Sequence, residues 1–368
     1  MEQKKKENRI VRRVTRPLTV GHLTIGGGAP ISIQSMTNTD THDAKATAAQ
    51  VRALEKAGCD IVRLAVPDIG AAEIFRTLKA EGVKVPLVAD IHFDYKIALA
   101  AIDAGADKIR INPGNIGSKE KVAEVVRACR ERQIPIRIGV NSGSLEKDIY
   151  EKYGAPTAEA LAESALRHAA ILEDLDYRNI AISVKASDVQ TMIFANRLLA
   201  ERTDYPLHLG VTEAGGGDAA LVKSSIGIGT LLAEGIGDTV RVSLTDSPLA
   251  EVGAARQILA ALGLAKRPGM NIISCPTCGR TKIDLISLLA EFNARVEKEE
   301  LDRLPITVAL MGCVVNGPGE AREADFGIAG GKGEGLIFSK GEILAKVRED
   351  RLIDTLISMI IDRYGAVK

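Results

Sequence analysis

The sequence predicts an α/β protein, a (β/α)₈ TIM-type barrel followed by a small α/β domain. Three observations predict it. Eight short apolar runs alternate with eight longer helical patterns between residues 31 and 264. The ends of those runs carry polar side chains, where barrels of this class build their sites. The alternation stops at Leu264, and Lys266-Arg267-Pro268-Gly269 reads as a linker. An open doubly wound sheet is the alternative, and the count of eight units favours the barrel.

Residues 1–30 form a basic tail and then a hairpin, with Val14–Val20 and Leu23–Ile25 flanking Gly21-His22. The barrel, residues 31–264, takes its strands from Ile31–Met36, Ile61–Ala65, Leu87–Asp90, Lys108–Ile111, Ile136–Val140, Ile180–Val184, Leu207–Val211 and Thr239–Leu244. Helices follow near Ala44–Lys56, Ala71–Glu81, Tyr95–Ala104, Lys119–Arg132, Thr157–Leu175, Val189–Arg202, Ala219–Glu234 and Glu251–Leu262. Asp43, Ser118 and Asp188 stand where N-caps are needed. Residues 265–269 are the linker. The last unit, 270–368, reads as strand (Asn271–Ser274), helix (Ile283–Val296), three strands (Ile306–Leu310, Phe326–Ala329, Leu336–Phe338) and two final helices.

Composition narrows the function. The 368 residues balance 48 basic against 48 acidic side chains, and aromatics make up only 3%. A nucleic-acid binder needs a basic, stacking surface, so zero net charge and scarce aromatics argue against one. No apolar run approaches a membrane span. The basic start lacks the apolar segment of a secretory signal. An odd count of five cysteines argues for a reducing compartment, and the cytoplasm is the expected location. Cys59 and Cys129 lie among apolar neighbours and read as small buried hydrophobes.

The barrel's strand ends look built for an anion. Alternation in Lys108-Ile-Arg-Ile-Asn112 turns Arg110 and Asn112 towards the axis. Arg63, Arg137 and Arg241 share that parity, and Lys185 ends the sixth strand. Asp90 and Glu213 offset only part of this charge, and buried charge without a partner is costly. Arginine forks suit phosphate oxygens, and several around one site suit a diphosphate. Asn141, His208 and Ser243 add polar contacts. Glu213 is the best placed carboxylate for proton transfer, with Asp90 and His92 beside it as candidates. Lys185 also suits a Schiff base, so a phosphosugar lyase or aldolase is a second reading. Gly227-Ile-Gly229 lacks the third glycine and strand context of a dinucleotide fingerprint.

The last unit holds Cys275-Pro-Thr-Cys278-Gly-Arg and Gly312-Cys313-Val-Val-Asn-Gly-Pro-Gly-Glu320. Cys-x2-Cys puts two thiols on one tight turn, so both can hold one ion or cluster. A zinc ribbon would repeat the knuckle; here Glu320 is the nearest fourth donor. From spacing alone, zinc and iron–sulfur both fit. With zinc, a knuckle-type nucleic-acid binder or a structural domain beside a lyase would follow.

These segments, with Gln34-Ser-Met-Thr-Asn-Thr39, Lys108-Ile-Arg-Ile-Asn-Pro-Gly-Asn115 and Gly139-Val-Asn-Ser-Gly-Ser144, resemble the bacterial 4-hydroxy-3-methylbut-2-en-1-yl diphosphate synthases. The resemblance implies a 4Fe–4S cluster on Cys275, Cys278, Cys313 and Glu320. It implies reductive ring opening of 2-C-methyl-D-erythritol 2,4-cyclodiphosphate, with electrons from flavodoxin or ferredoxin. Geometry adds an expectation about assembly. The eighth helix ends at the barrel face away from the mouth, and a five-residue linker extends only about 15–18 Å. That is no more than the length of a 12-residue helix, about 18 Å. A head-to-tail homodimer follows, each cluster domain capping its partner's barrel.

Overall fold

The structure, a computed structural model, describes residues 10–266, 269–313 and 321–365. The chain forms two compact units, Met1–Ala265 and Lys266–Lys368.

The first unit opens with an antiparallel hairpin, β1 (Leu18–Val20) and β2 (Leu23–Ile25). Eight parallel strands follow: β3 (Ser32–Met36), β4 (Ile61–Ala65), β5 (Leu87–Asp90), β6 (Lys108–Ile111), β7 (Ile136–Asn141), β8 (Ile180–Lys185), β9 (His208–Leu209) and β10 (Thr239–Val240). Their order is β8-β7-β6-β5-β4-β3-β10-β9, and a parallel bridge from Ile182 to Leu207 brings the two ends together. This is the barrel that the alternation predicts. Leu18, Val20 and Ile25 of the hairpin pack on Ile61, Val88 and Ala181, at the starts of their strands. The hairpin therefore plugs the bottom of the barrel and leaves the strand ends open for chemistry.

The helices are α1 (Ala44–Lys56), α2 (Ile74–Ala80), α3 (Tyr95–Asp103), α4 (Pro113–Ile116), α5 (Lys119–Glu131), α6 (Lys147–Tyr153), α7 (Ala158–Glu173), α8 (Val189–Arg202), α9 (Gly217–Ala233) and α10 (Pro248–Ala261). Asp43, Thr157 and Asp188 accept hydrogen bonds from the N–H groups of Ala46, Ala160 and Thr191 and fix three starts. Ser118 precedes α5 without such a side-chain bond. Val122, Val125, Val126 and Cys129 show the helical spacing that buries one face of α5. Each fully buried aliphatic of this kind stabilises the fold by about 1.5–3 kcal/mol.

The second unit is a five-stranded mixed sheet: β11 (Asn271–Ser274), β12 (Thr307–Met311), β13 (Phe326–Gly330), β14 (Glu334–Ser339) and β15 (Glu342–Arg348). The first three are parallel and the last two antiparallel. Helices α11 (Leu285–Lys298) and α12 (Leu352–Tyr364) bury Leu288, Phe292, Leu356 and Ile360 in the same core as Val308, Ile328 and Ile337.

Three expectations change in detail. Where two final helices were expected, the chain makes β15 and then α12, with only a short 3₁₀ turn between. Lys340 and Gly341 both take positive φ (48° and 83°), the geometry of a tight hairpin turn, and return the chain onto β14. The hairpin's first strand is only Leu18–Val20; Val14 is exposed, and Arg13 is drawn onto the carbonyls of Ala200, Thr203 and Tyr205. The seventh and eighth barrel strands pair over two residues each. Beyond them the backbone leaves the ladder, with Glu213 at φ 53°. Among the described residues no helix is long and apolar enough to cross a membrane.

Candidate active site

Strand parity gathers one cavity at the C-terminal ends of the barrel strands. Arg63, Asp90, His92, Arg110, Arg137, Asn141, Lys185, Arg241 and Ser243 line it, all named from the sequence. Gly139, Ser183 and Thr212 complete the wall. The cavity holds about 120 Å³. That is below the roughly 300–1,000 Å³ of an ordinary ligand pocket, so the cavity has room for a headgroup-sized anion and little more.

The cations divide into two kinds. Arg110 Nη1 donates to Asp90 Oδ1 at 3.1 Å, and Arg63 Nε lies 3.7 Å from Asp90 Oδ2. Arg241 Nη2 lies 3.5 Å from Glu251 Oε1. Arg137 and Lys185, 2% and 6% exposed, enter no ion pair among the described residues, and Nε and Nη2 of Arg137 are buried without a partner. Burial, then Arg63 and Arg110, push the Arg137 pKa down. A guanidinium keeps its proton regardless, so the cost stays in the fold until an anion relieves it. Burial, then Arg241, Arg63 and Arg137, push Lys185 well below the ordinary lysine range. Burial raises the Asp90 carboxyl, but Arg63 and Arg110 outweigh it and hold the pKa at about 2. Asp90 is therefore ionised at neutral pH and organises arginines; it is not a proton donor there.

Glycines make the cradle possible. A Cβ on Gly139 would stand 2.4 Å from Arg110 Nε, and one on Gly210 would stand 2.9 Å from Lys185 Nζ. Both cations cross strands where no side chain blocks them.

Three predicted residues lie apart from the lining. Asn112 is 4% exposed and accepts from the Gly114 N–H, capping α4. His208 is buried at the start of β9. Glu213 is exposed on the loop just past Thr212. Glu251, on α10, was not anticipated. It accepts from Ser35 Oγ at 2.9 Å and the Leu244 N–H at 3.2 Å, and its only signal was a charge on a buried helical face. The loop after β7 is anchored by Glu146, which accepts from Ser164 Oγ at 2.6 Å and lies 2.8 Å from His168 Nε2.

In the second unit the thiols sit at the C-terminal ends of adjacent parallel strands. Cys275 follows β11 and Cys313 follows β12 by two residues. The Gly312 N–H donates to Cys275 Sγ at 3.2 Å. The Cys278 N–H donates to Thr281 Oγ1 at 3.1 Å, and a Cβ on Gly312 would meet Thr281 Cγ2 at 2.8 Å. These contacts hold the two thiol loops together. A backbone N–H of Arg280, then its side chain, lowers the Cys278 pKa towards the thiolate that a metal requires. Glu320 lies outside the described residues. Among the described residues no three His, Cys, Asp or Glu side chains converge on a single metal ion. The soft thiol set, with N–H donors on sulfur, suits an iron–sulfur group.

Residues 15–256 match the GcpE TIM-barrel domain and residues 271–362 the GcpE protein C-terminal domain. Those two matches define a class, barrel and thiol-bearing sheet on one chain. The chain belongs to the GcpE family. It is 58% identical over 349 residues to the 4-hydroxy-3-methylbut-2-en-1-yl diphosphate synthase (flavodoxin) of Clostridium perfringens, covering 95% of this chain and 99% of the relative. The enzyme of the same name from Clostridium acetobutylicum is 59% identical over 346 residues, covering 94% of this chain and 98% of its own. Among solved structures, a type I 3-dehydroquinate dehydratase from Clostridium difficile aligns with TM-score 0.50 at 15% identity, over 68% of this chain and 98% of its own. That likeness concerns the barrel fold alone.

Proposed function

We propose that this chain is an iron–sulfur oxidoreductase that opens 2-C-methyl-D-erythritol 2,4-cyclodiphosphate reductively to 4-hydroxy-3-methylbut-2-enyl diphosphate. The observation that carries the reading is the charge excess of the cradle: Arg63, Arg110, Arg137, Lys185 and Arg241 against Asp90 and Glu251. A diphosphate supplies the missing negative charge, and the relatives are named for making a diphosphate. Neither a Lys185 aldolase nor a zinc-knuckle binder gains support from them.

The reaction balances as substrate dianion, two electrons and one proton giving product trianion and one water. The C2–O bond of the ring breaks, the C3 hydroxyl leaves as water, and a C2=C3 double bond remains. Cys275, Cys278, Cys313 and Glu320 would hold a 4Fe–4S cluster, which when bound supplies the electrons. Flavodoxin is the donor in this reading, as in the relatives' names, and ferredoxin is the alternative. The five cations bind the diphosphate, and Asn141 and Ser243 orient it. Glu213, exposed and next in sequence to the lining residue Thr212, would protonate the departing hydroxyl, with His92 of the lining as a further donor. Asn112 and His208 act by supporting the wall.

The assembly belongs to the same proposal. The units divide at Ala265, and so few residues before β11 favour a head-to-tail homodimer whose cluster domain caps the partner's barrel. The expected compartment is the cytoplasm.

The test is anaerobic purification with iron, sulfide and zinc analysis, then turnover of the cyclodiphosphate with reduced flavodoxin. Sulfide-containing protein that forms the product supports the reading; zinc without sulfide, or no product, overturns it.

A further inference from the structure

The cradle stands on a second polar layer that lines no part of the cavity. Lys108, first in β6, is 1% exposed, and His208, first in β9, is 2% exposed. Register sets Lys108 beside Val88, which packs on the hairpin plug, while Arg110 two residues on faces Asp90. His208 pairs with Thr239, two residues before Arg241. Both bases therefore lie one layer below the cations that line the cavity.

Neither base has an acid to hold. Lys108 enters no ion pair among the described residues, and both ring nitrogens of His208 are buried without a hydrogen-bond partner. The charges facing Lys108 are Arg137 from β7 and Arg63 from β4. Those facing His208 are Arg137, Lys185, Lys108 and Arg63. The acids are engaged elsewhere: Asp90 with Arg63 and Arg110, Glu251 with Arg241, and Asp238 with Arg12 at 3.0 Å. Protonating either base in the empty cradle would add buried positive charge to an array already in excess. Burial, and then these same cations, push both well below their ordinary ranges.

We propose that filling the cradle with a diphosphate drives proton uptake by Lys108 and His208, so that substrate binding is coupled to protonation of the layer beneath it. The anion cancels the field of Arg137, which adds to burial in disfavouring the charged form of both bases. The complex then holds more protons than the free protein, so affinity rises as pH falls. For each proton taken up, Kd grows by up to about tenfold per pH unit. The product trianion carries one more negative charge than the substrate, and the protonated layer supplies a counter-charge as it forms.

This inference rests on the proposed substrate, and its test separates the two. In the cyclodiphosphate each phosphorus keeps one strongly acidic hydroxyl, so the ligand does not titrate near neutral pH and any protons counted belong to the protein. The anaerobic holoenzyme, without reductant, is titrated calorimetrically with the cyclodiphosphate at several pH values in buffers of different ionisation enthalpy. Buffer-dependent heats are expected, with net uptake of roughly one proton or more per site near pH 8. Lys185 contributes to that total, so the variants make the assignment. Lys108→Met cannot take up a proton and Lys108→Arg arrives charged; both should lose the lysine's share and flatten the pH dependence of Kd. His208→Gln should lose a further share. Should Lys108→Arg fail to fold, the near-isosteric Lys108→Met decides. Buffer-independent heats in the wild type, or undiminished uptake in Lys108→Met and His208→Gln, overturn the coupling. Failure of the cyclodiphosphate to bind at all overturns the proposed function instead.

Discussion

Replacing Gly139 by alanine adds one carbon, yet it is expected to act as an arginine deletion. The added Cβ would stand 2.4 Å from Arg110 Nε and 3.0 Å from Nη2. The strand backbone is held on both sides, by β6 and β8, so the guanidinium moves. In doing so it leaves Asp90 Oδ1 at 3.1 Å and the Gly139 carbonyl at 3.3 Å. Asp90 keeps Arg63 at 3.7 Å, so no acid is orphaned, and overpacking should cost the fold about 1–3 kcal/mol. The larger loss falls on the ligand. One charge-assisted hydrogen bond to phosphate contributes about 1.5–3 kcal/mol, which is roughly 10- to 150-fold in affinity. The assay is KM and kcat with reduced flavodoxin, alongside the thermal shift produced by the cyclodiphosphate. Gly139→Ala and Arg110→Met should raise KM to a similar extent. The double variant should be little worse than Arg110→Met alone, because both changes remove the same contact. A wild-type KM in Gly139→Ala, or additive losses in the double variant, would refute the reasoning.

Other changes test other parts of the structure. Asp90 has a depressed carboxyl pKa, about 2 against an ordinary 3.8, so its stabilisation is present above the unfolded value and lost as pH falls through about 2. At neutral pH the shift corresponds to about 2 kcal/mol. The urea midpoint of Asp90→Asn should lie below wild type at pH 6, and the gap should close between pH 4 and pH 2; a gap constant with pH counts against the pairing. In cluster-free protein, Cys275, Cys278 and Cys313 should react with a thiol reagent at pH 8. Cys59 and Cys129, whose thiols burial pushes up to about 12, should react only after unfolding, as counted by mass spectrometry. Mixing Glu213→Gln chains with Cys275→Ser chains should restore part of the activity through mixed dimers; folded, paired but inactive mixtures would disprove capping in trans.

What the sequence revealed, and what it hid, follows from the range of the forces involved. Strands β4 to β8 announce themselves because their outward faces are wholly apolar, mostly Ile, Val and Leu, while their inward faces hold charge. Beyond His208–Leu209 and Thr239–Val240 the same alternation persists, but the ladder stops, since pairing depends on neighbours that a local pattern does not contain. Glu342–Arg348 reads poorly as a strand because most of its residues are exposed at a sheet edge; the positive-φ pair Lys340-Gly341 is what turns it back. Most of the cradle was readable from parity alone. Glu251 was not, because its partner Arg241 lies ten residues away, just past β10. Gly139 shows in the sequence only as part of a motif: a glycine has no side chain to advertise what passes over it.

The placement of the two acids decides where the cradle is most strained, and that yields a test of the whole electrostatic account. Asp90 and Glu251 steady Arg63, Arg110 and Arg241 from the side. Arg137 is left as the most buried cation of the cradle, 2% exposed and without an acid. Replacing even a buried ion pair with well-packed apolar side chains is often neutral or stabilising, by about 1–4 kcal/mol, and a charge without an acid has less attraction to lose. Arg137→Met is therefore expected to raise the urea midpoint of the ligand-free protein while abolishing the stabilisation that the cyclodiphosphate gives the wild type. Stability gained where function is lost is the signature of a site held under charge strain for its ligand. If Arg137→Met instead lowers the midpoint by as much as a cavity-forming core substitution, the guanidinium is part of the packing, and the excess charge is not what the cradle offers its diphosphate.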